Sequence, residues 1–139
     1  MPGKDSLQKK ARPMILIVIA VLLALTGYYL QNRQETALKI SPADAIPAGI
    51  PKLIDLGRDS CTACKAMRPI LEELQKEYAG RVGVAIINID DFPEEAEKYG
   101  IYLIPTQIFF DAAGKIVYRH EGFMPKEEIE VVFRNMGIK

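Results

Sequence analysis

Cys61 and Cys64 are the only cysteines in the chain, and they stand two residues apart in Cys61-Thr62-Ala63-Cys64. A strand-like run at residues 52–56 ends just before the pair, and a helix-like run at residues 65–78 begins just after it. A strand-to-helix turn places the first thiol at a helix N-terminus, where unpaired amides and the macrodipole stabilise a thiolate. A lowered thiol pKa makes Cys61 a nucleophile near neutral pH. Cys64, one turn further in, is placed to close a disulfide with it. The pair reads as a redox centre whose only prosthetic group is its own disulfide.

Three other chemistries fit less well. A structural disulfide across so small a ring removes little entropy from the unfolded chain. Zinc asks for four ligands, and beyond the pair the chain offers no cysteine and only His120, so no metal site is expected. Covalent haem attachment needs a histidine directly after the second cysteine, and that position is Lys65.

The elements that must position the pair follow an N-terminal segment of different character. Residues 13–31 carry no charge, and at ~1.5 Å per residue a helix over this stretch approaches the ~30 Å hydrocarbon core of a bilayer. Lys4, Lys9, Lys10 and Arg12 precede it against a single Asp5, an imbalance that keeps residues 1–12 in the cytoplasm and sends the remainder across. Tyr28 and Tyr29 fall where an interfacial aromatic belt would lie. The rival is a cleavable signal peptide, but the small-x-small pattern at Ala43-Asp44-Ala45 stands far beyond Leu30. The expectation is an uncleaved anchor whose span is residues 14–30.

Without residues 1–12 the chain holds 14 basic and 17 acidic residues, a mildly acidic balance with no basic stripe, so nucleic-acid binding finds no support. Residues 32–48 lack a sustained period and contain Pro42 and Pro47; they read as a tether, part of which could pack as an extra strand. Residues 49–139 suffice for one domain with a modest core, expected as a monomer.

Within that domain, residues 53–56 make a short apolar strand. Residues 61–79 show helical periodicity, with Met67, Ile70, Leu71, Leu74 and Tyr78 on one face and Pro69 inside. Residues 82–89 are nearly continuously apolar, as in a strand covered on both faces. Residues 93–99 predict a short helix closed by Gly100. Residues 106–110 and 115–120 predict a hairpin turning at 111–114, and residues 125–136 the last helix, stopped by Gly137. The order is β-α-β-α-β-β-α.

That order and several residues within it resemble the thioredoxin family from about residue 51 to the C-terminus. Asp55 stands six residues before Cys61, like the family's buried aspartate, and Pro69 eight residues after it. Asn88-Ile89-Asp90 is similar to the end of the family's central strand. Ile104-Pro105-Thr106 is similar to its cis-proline motif, and Gly122 to the glycine after its final strand. The resemblance implies an α/β thioredoxin fold, a mixed central sheet with flanking helices.

The chain also departs from the family pattern. Ser60 stands where the family has a tryptophan, and Thr62-Ala63 replaces the usual Gly-Pro. Gly57 occupies a position that is often tryptophan, and Ile86 occupies that of the lysine partnering the aspartate.

The resemblance further implies roles. Ile104 and Pro105 in cis would bring strand backbone beside the cysteines to pair with an extended substrate, with Thr62 and Ala63 also in contact. The plain alternative is a trans proline opening a strand. Asp55 would serve as general base for Cys64 if it points inward; strand alternation alone leaves an outward Asp55 open. Tyr102 would line the groove in place of the missing tryptophans. Lys65 and Arg68 would add positive potential near Cys61.

The expected function is a membrane-anchored thiol–disulfide oxidoreductase on the periplasmic, extracytoplasmic side of a bacterial inner membrane. Its targets would be protein disulfides, and a transmembrane thiol-electron carrier would recharge it. An oxidase or isomerase of the same fold is the alternative within the class. A Cu(I)-delivery module is the alternative outside it, with His120 its one candidate histidine.

Overall fold

The computed structural model describes residues 5–34 and 39–139, and within the N-terminal helix the side chains of residues 14–30. Residues 1–4 of the predicted tail and 35–38 of the predicted tether lie outside the described residues. The chain divides into two units, one up to Lys39 and one spanning Ile40–Lys139.

The first unit is helix α1 (Asp5–Gln34). Its described apolar side chains, among them Leu16, Leu23 and Leu30, are exposed around the whole circumference. Thr26 Oγ1 donates back to the carbonyls of Leu22 and Leu23, each at 2.9 Å, which satisfies its hydroxyl within the helix. Among the described residues no helix is long and apolar enough to cross a membrane.

The second unit contains β1 (Lys52–Gly57), α2 (Thr62–Glu77), β2 (Gly83–Asn88), α3 (Pro93–Tyr99), β3 (Thr106–Phe110), β4 (Ile116–Glu121) and α4 (Lys126–Asn135). This is the predicted β-α-β-α-β-β-α order, and it forms one mixed sheet ordered β2-β1-β3-β4. β1 pairs parallel with β2 and antiparallel with β3, and β3 pairs antiparallel with β4. β2, which the resemblance makes a central strand, lies at an edge of the sheet, because no further strand flanks it among the described residues.

Strand alternation divides the core in two. On one face Leu53 and Phe109 meet Met67, Leu71 and Leu74 of α2 and Ile129 and Phe133 of α4. On the other, Ile54, Leu56, Ile108 and Phe110 pack with Ala85, Ile87 and Phe92. Helix α2 runs unbroken through Pro69 and buries Met67, Leu71 and Leu74 of the predicted stripe, with Ile70 and Tyr78 partly buried against the same core. Helix α3 starts with proline and closes on Gly100 at φ 58°, a left-handed conformation that glycine adopts without a Cβ clash. The hairpin turn is fixed by Asp111 Oδ1, which accepts from the amides of Ala113 and Lys115.

The part of the predicted tether that precedes β1 is turned rather than extended. Ser41 and Ala43 are buried, and Ile46 packs over Gly83, where any Cβ would collide with it. Its apolar residues cover one end of the β2 edge, so the compact unit starts at Ile40 rather than at residue 49.

Candidate active site

β1 ends at Gly57, the chain turns through Arg58–Ser60, and α2 begins at Thr62. Cys61 is the N-cap: its backbone is extended (φ −87°, ψ 124°) and its Sγ accepts from the amide of Cys64 at 3.2 Å. Cys61 and Cys64 are joined in a disulfide with Cα atoms 5.2 Å apart. Cys61 is half-buried, Cys64 is 8% exposed, and Thr62 projects into solvent beside the half-buried Ala63. The first sulfur is therefore reachable from solvent and the second is shielded by the turn in front of it.

Asp55 points inward. It is 2% exposed, and its register neighbours are Ile86 on β2 and Gln107 on β3. Paired residues on adjacent strands share a face, so all three lie on the side covered by α2. Ile86 brings no charge. Gln107 Nε2 instead donates to Asp55 Oδ1 at 2.8 Å. Burial pushes the Asp55 carboxyl up from 3.8 to about 6, against the opposing pull of the Gln107 bond and of the Arg68 charge.

Gly57 opens the way between this carboxylate and the cysteines. A Cβ there would lie 2.9 Å from Cys64 Sγ and 3.8 Å from Asp55 Oδ2, so the sulfur and the carboxylate oxygen border the same gap. Asp55, Gly57, Cys64, Arg68 and Asn88 help to line a crevice of about 10 Å³, room for a single water. At its rim Arg68 Nη2 donates to Asp59 Oδ1 at 2.6 Å, and Asn88 Nδ2 to Asp59 Oδ2 at 3.2 Å. Arg68, expected near Cys61, is thus tied to Asp59. Lys65 is a solvent-facing residue of α2.

The Ile104–Pro105 peptide is cis, as the family resemblance implies. Pro105 is buried immediately before β3, and the first residue of that strand, Thr106, is paired with Leu56 near the end of β1. That register carries the proline loop to the same end of the sheet as the turn into α2. Thr106 Oγ1 donates to the carbonyl of Leu103 at 2.7 Å, and the amide of Gly122 to the carbonyl of Pro105 at 2.7 Å. The loop is thereby held from both sides. Tyr102, 91% exposed, and Leu103 stand out from it. His120, paired with Gln107 across β3 and β4, is half-buried, with Nε2 3.3 Å from the carbonyl oxygen of Phe123.

A solvent-reachable sulfur capping a helix, a shielded partner one turn on, a buried carboxyl and a cis-proline loop on one sheet end define a thiol–disulfide oxidoreductase. The thioredoxin family model matches residues 45–135. The chain belongs to the thioredoxin family. It is 40% identical over 86 residues to a thioredoxin of Alicyclobacillus acidocaldarius, an alignment covering 62% of this chain and 81% of that protein. It is 36% identical over 87 residues to thioredoxin C-2 of Corynebacterium nephridii, covering 63% and 80% respectively. A thiol:disulfide interchange protein TxlA homolog of Synechocystis is 31% identical over 131 residues, covering 87% of this chain and 73% of that protein.

One residue of the site escaped the sequence reading. Gln107 lies in Thr-Gln-Ile-Phe-Phe, where a single polar residue in an apolar strand has no local signature. Only the β1–β3 register sets it against Asp55.

Proposed function

We propose that the chain is a membrane-anchored reductant of protein disulfides in an extracytoplasmic compartment. The observation that carries the chemistry is the shielding of Cys64, beside a buried Asp55, behind a Cys61 that caps α2. In the reduced protein the free amides of the first turn favour the Cys61 thiolate. That thiolate attacks one sulfur of a target disulfide; a Cys61–target bond forms, the target S–S bond breaks, and one target thiolate leaves. Cys64 gives its proton to Asp55 across the gap at Gly57 and attacks Cys61 Sγ. The second target thiolate leaves, and the two electrons now missing from Cys61–Cys64 reside on the target. Backbone at Ile104 and the flanks at Thr62, Ala63 and Pro105 hold the substrate as an added extended strand.

Several observations support the anchor. The uncharged stretch runs from Pro13 to Gln31, past the described side chains at both ends, and basic residues precede it. The apolar side chains of residues 14–30 are exposed, as they are in a helix that meets lipid. The match to the Synechocystis interchange protein takes in more of this chain than Ile40–Lys139 can supply. A bacterial cytoplasmic membrane, with the domain outside and a transmembrane thiol-electron carrier as donor, is the setting we assign.

Reduction of a disulfide-bonded protein by the full-length reduced chain tests the chemistry. Thiols should appear on the target. Cys61→Ser should abolish their appearance, and Cys64→Ser should accumulate a Cys61–target mixed disulfide. Turnover that survives Cys61→Ser would overturn the reading.

A further inference from the structure

Gln107 is 0% exposed and spends its amide nitrogen on a single partner, Asp55 Oδ1, at 2.8 Å. Its Oε1 is buried without a hydrogen-bond partner, the only side-chain atom so placed among the described residues. Leaving a buried acceptor unmade costs free energy, on the order of 1–3 kcal/mol. An apolar residue, as elsewhere along β3 in Ile108 and Phe109, would avoid that cost. What the amide supplies in return is directed at one atom. With Oδ1 engaged by Gln107, Oδ2 is the carboxylate oxygen that borders the gap at Gly57 opposite Cys64 Sγ.

We propose that Gln107 is a positioning residue, a neutral donor that takes over from a strand cation and holds Asp55 with its free oxygen toward Cys64. This rests on the reading of Asp55 as the acceptor of the Cys64 proton. The surroundings leave Gln107 as the direct partner. From β2 come the uncharged Ile86 and, further on, Asn88, which is bonded to Asp59. From α2 comes Arg68, held by Asp59. Arg58, on the turn after β1, pairs with Asp90 at 2.9 Å. From β4 comes His120, on the far side of Gln107 and engaged with Phe123. Donation to Oδ1 stabilises the ionised carboxylate, so it opposes the rise that burial imposes.

The test is a single-turnover reaction of the reduced full-length chain with 5,5′-dithiobis(2-nitrobenzoate), followed from about pH 5 to about pH 9, a range that spans the expected titration. Attack by Cys61 releases one thionitrobenzoate; resolution by Cys64 releases the second and leaves the disulfide. In the wild type the second release should rise with a midpoint near the value of about 6 at which Asp55 titrates. Gln107→Met, close in volume, should move that midpoint up by about one pH unit, from loss of a bond to a charged group. The second release should then slow by about fivefold near pH 6 and be unchanged near pH 9, with the first release unaffected at either. Gln107→Leu should do the same and His120→Gln should not.

In an Asp55→Asn background the Gln107 change should add nothing to the pH profile. An unmoved midpoint in Gln107→Met, with the profile still abolished by Asp55→Asn, overturns the role of Gln107 alone. A wild-type profile in Asp55→Asn removes the base itself and this proposal with it. If neither apolar variant folds, the side-chain amide resonances of Gln107 in the wild type decide the matter: they should titrate with the Asp55 carboxyl, and resonances that ignore it contradict the proposal.

Discussion

Asp55 carries a stability cost that follows from its place in β1. Its carboxyl titrates at about 6 in the folded chain against 3.8 when solvated, so between those values the folded state binds more protons than the unfolded one. Stability therefore falls as pH rises through that window and stays lower above it. Asp55→Asn should be more stable than the wild type near pH 8 by up to roughly 3 kcal/mol, with the difference gone below about pH 4. Urea melts at the two pH values measure it; an equal gain at both would mean the effect is packing.

The cysteines can be told apart at the same scale. Alkylation of the reduced chain at mildly acidic pH should modify Cys61 well before Cys64, because Cys61 is reachable and caps the amides of the first turn of α2 while Cys64 is shielded. Peptide mapping identifies the labelled thiol, and a faster Cys64 would reverse the assigned roles. Gly57→Ala would set a Cβ 2.9 Å from Cys64 Sγ and 3.1 Å from Cys64 Cβ, against the first turn of a helix that cannot give way cheaply. A loss of about 1–3 kcal/mol is expected for overpacking of this kind. Thermal unfolding of the variant reads it directly.

Among the elements, the order of strands and helices was legible in the sequence because each carries its own punctuation. The α2 stripe of Met67, Leu71 and Leu74 has a helical period, Gly100 and Gly137 follow their helices, and Asp111 to Gly114 turns a hairpin. The cysteine pair was legible because the chain has no other cysteine and the two stand two residues apart, and the proline loop through the resemblance of residues 104–106 to the family's cis-proline motif. What could not be read depends on long-range register. Gln107 acquires its partner only through β1–β3 pairing. Strand alternation left the direction of Asp55 open because β1 is buried on both faces, so that only its offset from Cys61, as in the family, pointed it inward.

Residues 41–46 show a related limit: the lack of a sustained period around Pro42 and Pro47 suggests a tether, but Ala43 and Ile46 bury against strand residues distant in sequence. Ile46→Ala should therefore cost roughly 1–2 kcal/mol, less than a full core truncation because Ile46 is half-buried. Denaturant midpoints check this, and an unchanged midpoint would make the segment a passive connection.

For the molecule as a whole, a single redox domain joined to an uncharged helical segment behind a basic N-terminus makes sense as a device held at one surface. Under the proposed function, such tethering would keep a small reductant near its electron source and raise its local concentration over membrane-proximal targets. Of the departures from the family pattern, Ser60, Thr62 and Ala63 adjoin the cysteines in sequence, and Gly57 and Ile86 line a crevice with Cys64. The most direct measurement is the Cys61–Cys64 reduction potential of the full-length chain, equilibrated against dithiothreitol or glutathione. A reductant requires a value near that of thioredoxins, about −270 mV, whereas a value near about −120 mV, typical of a strong disulfide oxidant, would contradict it.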